Sequence, residues 1–135
     1  MAKAQDKFIA LRGWVTDAQV FLSIDNWDIT IVEAAADVDA WADIDPHPQA
    51  FTAELRVSHD FWAQTPERQR TILIHELLHI VLARYARVAE TLEEPLGKLA
   101  WAVLAPQLED AEERATEHLA RIIAPYLALP AFPKA

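Results

Sequence analysis

The chain contains no cysteine, which excludes disulfides, zinc ribbons and thiol chemistry and permits a reducing compartment. Cations are scarce: 12 Lys and Arg stand against 21 Asp and Glu, a net charge of −9. Nucleic acid and anionic membranes are bound chiefly through Lys and Arg, so neither is expected as a partner. The longest apolar run is too short, and too polar at its centre, to span a bilayer. The N-terminal MAKAQDK carries charges and leads into no continuous apolar segment, which argues against a secretory signal and makes a cytoplasmic protein the expectation. Glycine occurs only twice. Asp37, Asp39, Asp43 and Asp45 accordingly lack the glycine of a calcium loop, as well as its spacing and terminal glutamate, and read as solvated acids.

What is present suits one domain over residues 1–135, since 53% hydrophobic content is enough for a core at this size. Phe8, Leu11, Val15, Ala18 and Leu22 fall at helical spacing, with Trp14 and Phe21 alongside. Asp25-Asn26 is turn chemistry, after which Trp27, Ile29 and Ile31 alternate with Asp28 and Thr30 as a strand does. Residues 34–39 read as an acidic connection and 40–44 as a second strand. The two prolines of Asp45-Pro46-His47-Pro48-Gln49 predict a turn or loop. Ala53, Leu55 and Val57 alternate with polar neighbours in a third strand, and His47 and His59 read as isolated surface histidines.

Thr65-Pro66-Glu67 supplies an N-cap, a proline at the first helical position and an acid near the positive end of the dipole, predicting a helix from 66 to about 88. A second start in 91–95 continues through Leu96, Leu99, Val103 and Leu104 until Pro106 breaks or kinks it. A last helix over 107–127 is expected to bury Leu108, Ala111, Ala115, Leu119, Ile122 and Tyr126, with Pro125 disturbing its final turn. The predicted fold class is α+β: an N-terminal helix, a small, mainly antiparallel sheet of about three strands, a buried central helix and a C-terminal glutamate helix.

The central helix carries the chemistry. Residues 72–83, ILIHELLHIVLA, are apolar except for His75, Glu76 and His79. Histidines four apart lie on one helical face and converge on one point, while Glu76, about 100° further round, is placed to reach a water there. This is the HExxH pattern, in which two histidines hold Zn²⁺ and the glutamate is the general base. Apolar residues on all sides imply burial, and buried imidazoles and a carboxylate need partners; an ion with its water would satisfy all three. The plainer alternative is a pair of hydrogen-bonded core histidines.

Catalytic zinc sites usually carry three protein ligands. Leu82 and Tyr85 stand where HExxHxxGxxH requires glycine and histidine, which excludes the metzincin arrangement. A later helix offers Glu109, Glu112, Glu113 and Glu117. At 100° steps Glu112 falls among Leu108, Ala115 and Leu119 and is the preferred ligand, with Glu113 the alternative; Glu113 and Glu117 point to solvent and Glu109 lies on the border. His118 is a further candidate as ligand or oxyanion stabiliser.

HELLH at 75–79 followed by EERATEHLARIIAP at 112–125 resembles the short gluzincins, zinc peptidases in which a glutamate helix supplies the third ligand. It is similar to minimal, phage-type metallopeptidases and more distantly to the ImmA/IrrE group. In the ExxxD form of that helix an aspartate would stand at 116 or 117, where this chain has Thr116 and Glu117. The resemblance implies a zincin-like fold and a sheet whose outer strand, here 52–57, binds substrate. It also implies zinc-dependent hydrolysis of a peptide or protein, with His75, His79 and Glu112 as ligands and Glu76 as base. Tyr85, His118 and Tyr126 are the candidate transition-state donors. The alternative function is a zinc-containing binding or regulatory domain with weak, latent or no proteolysis, and a third is a helical protein without metal.

Overall fold

The computed structural model describes residues 2–36 and 40–134. Of the acidic connection, Asp37 and Asp39 therefore lie outside the described residues.

Helix α1 (Ala2–Phe21) buries Leu11, Val15 and Ala18 and sets Phe8 and Trp14 against the same core, as their spacing predicts. The chain leaves it at Ser23, whose φ of 58° reverses direction. Buried Gln19 stitches the turn: its amide nitrogen donates to the carbonyls of Ile24 (3.1 Å) and Trp27 (2.8 Å) and so fixes the entry into the sheet.

Strands β1 (Asp28–Ile31), β2 (Ala42–His47) and β3 (Thr52–Val57) form one sheet in the order β1-β3-β2. The sheet is mixed, not mainly antiparallel: β2 and β3 pair antiparallel, β1 and β3 parallel. β3 inserts between two strands already laid down in opposite directions, so it must run parallel to one of them. It is thus the central strand, and the outer strand expected at 52–57 is instead β2. β2 also runs further than expected, through Asp45 and Pro46 to His47, and the turn follows it at Phe51, with φ of 54°. Proline is tolerated here because of register. Ser58 N–H donates to the Trp41 carbonyl (2.8 Å), and alternation then turns the backbone of Ala42, Ile44 and Pro46 away from β3. The missing N–H of Pro46 thus falls on the free edge, where no ladder bond is lost.

Ala53, Leu55 and Val57 bury one face of β3 against the helices. A 3₁₀ turn (His59–Ala63) adds Phe61 and Trp62 to that core and leaves His59 exposed, as expected. Helix α2 (Pro66–Glu90) begins as predicted: the Thr65 hydroxyl accepts from the Arg68 N–H at 3.3 Å. Leu73, Ile74, Leu77, Leu78 and Ile80 hold it in the core.

Two helices were expected beyond it, separated at Pro106. The structure puts the break at Gly97 instead: α3 (Glu93–Ile123) is kinked there into two helical pieces (φ 81°, ψ 169°) and runs without interruption through Pro106. Gly97 can adopt that conformation without a Cβ clash. Pro106 removes one bond, to the Ala102 carbonyl, and Ala102 is exposed, so water can satisfy it. α3 ends in a 3₁₀ turn (Ala124–Tyr126) containing Pro125, in line with the expected disturbance. Its buried face is displaced by one residue from the expected stripe. Thr116, Ala120 and Ala124 are buried, whereas Leu119, Ile122 and Tyr126 are exposed, Ile122 at 53%. Close helix packing favours small residues at the contact, so the bulky apolar positions lie beside the interface and misstate its phase. No helix among the described residues is long and apolar enough to cross a membrane.

Candidate metal centre

Helix α2 stacks the rings of His75 and His79 with centroids 5.1 Å apart and their Nε2 atoms 3.3 Å apart. Helix α3 faces them with Glu113, whose Oε2 lies 3.1 Å from His75 Nε2 and whose Oε1 lies 3.0 Å from His79 Nε2. One ligand atom from each of the three residues lies within 4.8 Å of the others.

The opposite edges of both rings meet carboxylates. His75 Nδ1 is 3.0 Å from Glu117 Oε2, and His79 Nδ1 is 3.2 Å from Glu112 Oε1. Each ring thus has a carboxylate at both nitrogens; a cation at the shared point would take the two Nε2 lone pairs and leave the Nδ1 protons to Glu117 and Glu112, which only accept. Two imidazole nitrogens and a carboxylate face one point. That arrangement fits a cation, and carboxylates behind the histidines are the usual outer partners of metal-binding imidazoles. Arg121 Nε donates to Glu117 Oε1 (3.1 Å), and the Thr116 hydroxyl lies 2.9 Å from the carbonyls of both Glu112 and Glu113, anchoring the helix where its acids emerge.

His75, His79 and Glu76 occupy one cleft wall, as expected, but the carboxylate that faces both histidines is not the one expected. Glu112, preferred from the sequence, lies behind His79; Glu113 stands at the shared point; and Glu117, expected to point to solvent, orients His75. The cause is the one-residue displacement of the α3 stripe, which rotates its acids by about 100°.

Glu76 lines the same cleft, about 1010 Å³ in volume, whose opposite wall is β2. Its carboxyl is pushed from an ordinary 4.5 up to about 8, first by burial, then by the charges of Glu113 and Asp43. A cation beside it acts in the opposite sense and favours the carboxylate. Without metal, the folded state keeps this proton between about pH 4.5 and pH 8 while the unfolded state has lost it. Stability present below pH 4.5 therefore falls as pH rises through that window, by about 1.4 kcal/mol per pH unit at most. Urea titrations of the chelated protein are expected to show this slope and those of Glu76→Gln to lack it; equal slopes would contradict it.

The three candidate transition-state donors are not at the site. Tyr85 lines a separate apolar pocket between α2 and α3, and neither His118 nor Tyr126 lines the cleft; all three are exposed. His47, read as an isolated histidine, is paired across strands: its Nε2 lies 2.8 Å from Glu54 Oε2 and 3.5 Å from Asp45 Oδ2. Strand register brings Glu54 to them, whereas Asp45 and His47, two apart on β2, share a face by alternation. Asp43 is engaged by Arg56 at 3.0 Å, so it is not a free loop acid.

Comparison of the chain with protein-family models, curated proteins and solved structures gives no match.

Proposed function

We propose that the protein is a zinc-dependent peptidase in which His75, His79 and Glu113 hold the ion and Glu76 is the general base. The observation that carries this reading is the convergence of two Nε2 atoms and a carboxylate on one point, with Glu117 and Glu112 placed behind the rings to accept the Nδ1 protons. Two imidazoles and one carboxylate are a donor set suited to zinc, and three protein ligands leave a position open. Zinc bound there would supply a positive charge that acidifies water and polarises a peptide carbonyl.

The remaining chemistry belongs to Glu76. Its carboxylate accepts a proton from water as the water oxygen bonds to the carbonyl carbon, and returns that proton to the nitrogen as the C–N bond breaks. His75 and His79 keep their Nδ1 protons throughout, held by Glu117 and Glu112. A helix carrying HExxH, packed on a small mixed sheet and faced by a glutamate helix, supports a zincin-like reading of the fold.

The test is cleavage of an unstructured protein by the purified chain. Cleavage is expected to stop with chelator and to return with about one equivalent of zinc. Cleavage indifferent to chelator would refute the metal. Zinc binding without cleavage would leave a zinc-containing binding or regulatory domain.

A further inference from the structure

The cleft has a marked charge asymmetry. Apart from Glu76, seven carboxylates and three guanidiniums line it, an excess of four negative charges that a divalent ion would halve. Two guanidiniums are paired with carboxylates of the cleft, Arg87 with Glu90 (3.5 Å) and Arg121 with Glu117 (3.1 Å), and Arg68 stacks over the Trp41 ring (4.2 Å) with its charge intact. Asp45 projects a carboxylate whose side chain is 69% exposed and which lies 3.5 Å from His47 Nε2.

Asp45 also sits on the outer edge of β2, which no strand pairs among the described residues. Ala42 and Ile44 turn N–H and C=O outward there, and Pro46 turns a C=O only, so a short extended segment can pair across Ala42 and Ile44 while Pro46 ends the donor row. In such a pairing the residue opposite Asp45 lies on the same face of the sheet, about 4.5–5.5 Å away between Cβ atoms. An opposite charge there is favourable and a like charge is not.

We infer that the cleft selects extended peptide segments carrying lysine or arginine, with the basic side chain set opposite Asp45; this deepens the peptidase reading and rests on it. Asp45 thus determines specificity, while His75, His79, Glu113 and Glu76 perform the chemistry.

The experiment uses two fluorescent peptides of equal length, one with lysines and one with glutamates at the same positions, on the full chain loaded with zinc. Glu76→Gln serves for binding by anisotropy, and the wild-type chain for cleavage. The lysine peptide is expected to bind about 10-fold tighter, less so as salt is raised. Asp45→Asn should shrink the ratio by up to about 5-fold, and Asp45→Lys should reverse it. Asp17→Asn, on the exposed side of α1, should leave it unchanged; an equal shift there would mean that net charge alone is at work and would overturn the assignment. Thermal melts verify that each variant is folded. Equal binding of both peptides, or a preference untouched in both Asp45 variants, would refute the inference, while chelator-sensitive cleavage would still uphold the peptidase reading. Selective binding that depends on Asp45, without cleavage, would uphold the inference as a binding preference and remove the peptidase reading.

Discussion

Glu76→Gln is expected to lower kcat for peptide hydrolysis by roughly 10²- to 10⁴-fold while zinc stays bound at near wild-type affinity. The amide keeps the size and burial of the carboxyl group but has no basic oxygen to take the proton from water. Metal retention follows from the geometry: the converging atoms belong to His75, His79 and Glu113, and Glu76 is not among them. The variant also removes the ionisable group that burial, Glu113 and Asp43 hold near 8 in the metal-free protein, so folding should not suffer. Steady-state kinetics with parallel zinc analysis separates the two effects. A variant that cleaves at the wild-type rate would remove Glu76 from the mechanism, and one that loses its zinc would place it among the ligands.

The parts of this fold legible in the sequence are those written in local chemistry. Thr65-Pro66 capped α2 as such a pair must, and Ala53, Leu55 and Val57 turned inward because strand side chains alternate. The HExxH spacing placed His75 and His79 on one face because a helical turn is 3.6 residues. What remained hidden depends on neighbours distant in sequence. Pro46 looked like a strand breaker, but the register that sends its nitrogen to the open edge is fixed by β3. The insertion of β3 between β1 and β2 depends on where the connection between those two strands runs, and it decides both the mixed pairing and which strand borders the cleft.

The carboxylate that faces both Nε2 atoms shows the same limit in α3. Leu119 and Ile122 drew the expected stripe toward themselves, yet α2 accepts Thr116 and Ala120, small residues that allow close approach. A shift of one residue moved the shared point from Glu112 to Glu113. Thr116 offered a local signal, since a threonine between two acids can bond back to the preceding turn, as it does to the carbonyls of Glu112 and Glu113.

That shift yields the second large effect. Glu113→Ala removes a group that faces both Nε2 atoms, so zinc affinity should fall by more than the 10- to 100-fold, roughly, that is typical of losing an outer partner. Glu112→Ala and Glu117→Ala each remove one such partner, behind His79 and His75 respectively, and should fall within that range. Because zinc binds the folded site preferentially, its stabilisation of the chain should decline in the same order. The decisive measurement is competition for zinc between a chromophoric chelator and each of the four proteins, wild type and the three alanine variants. Assignment of His75, His79 and Glu113 as the ligands requires Glu113→Ala to be weakest by a clear margin, with Glu112→Ala and Glu117→Ala between it and the wild type. An unchanged affinity in Glu113→Ala, or the greatest loss in Glu112→Ala, would contradict it.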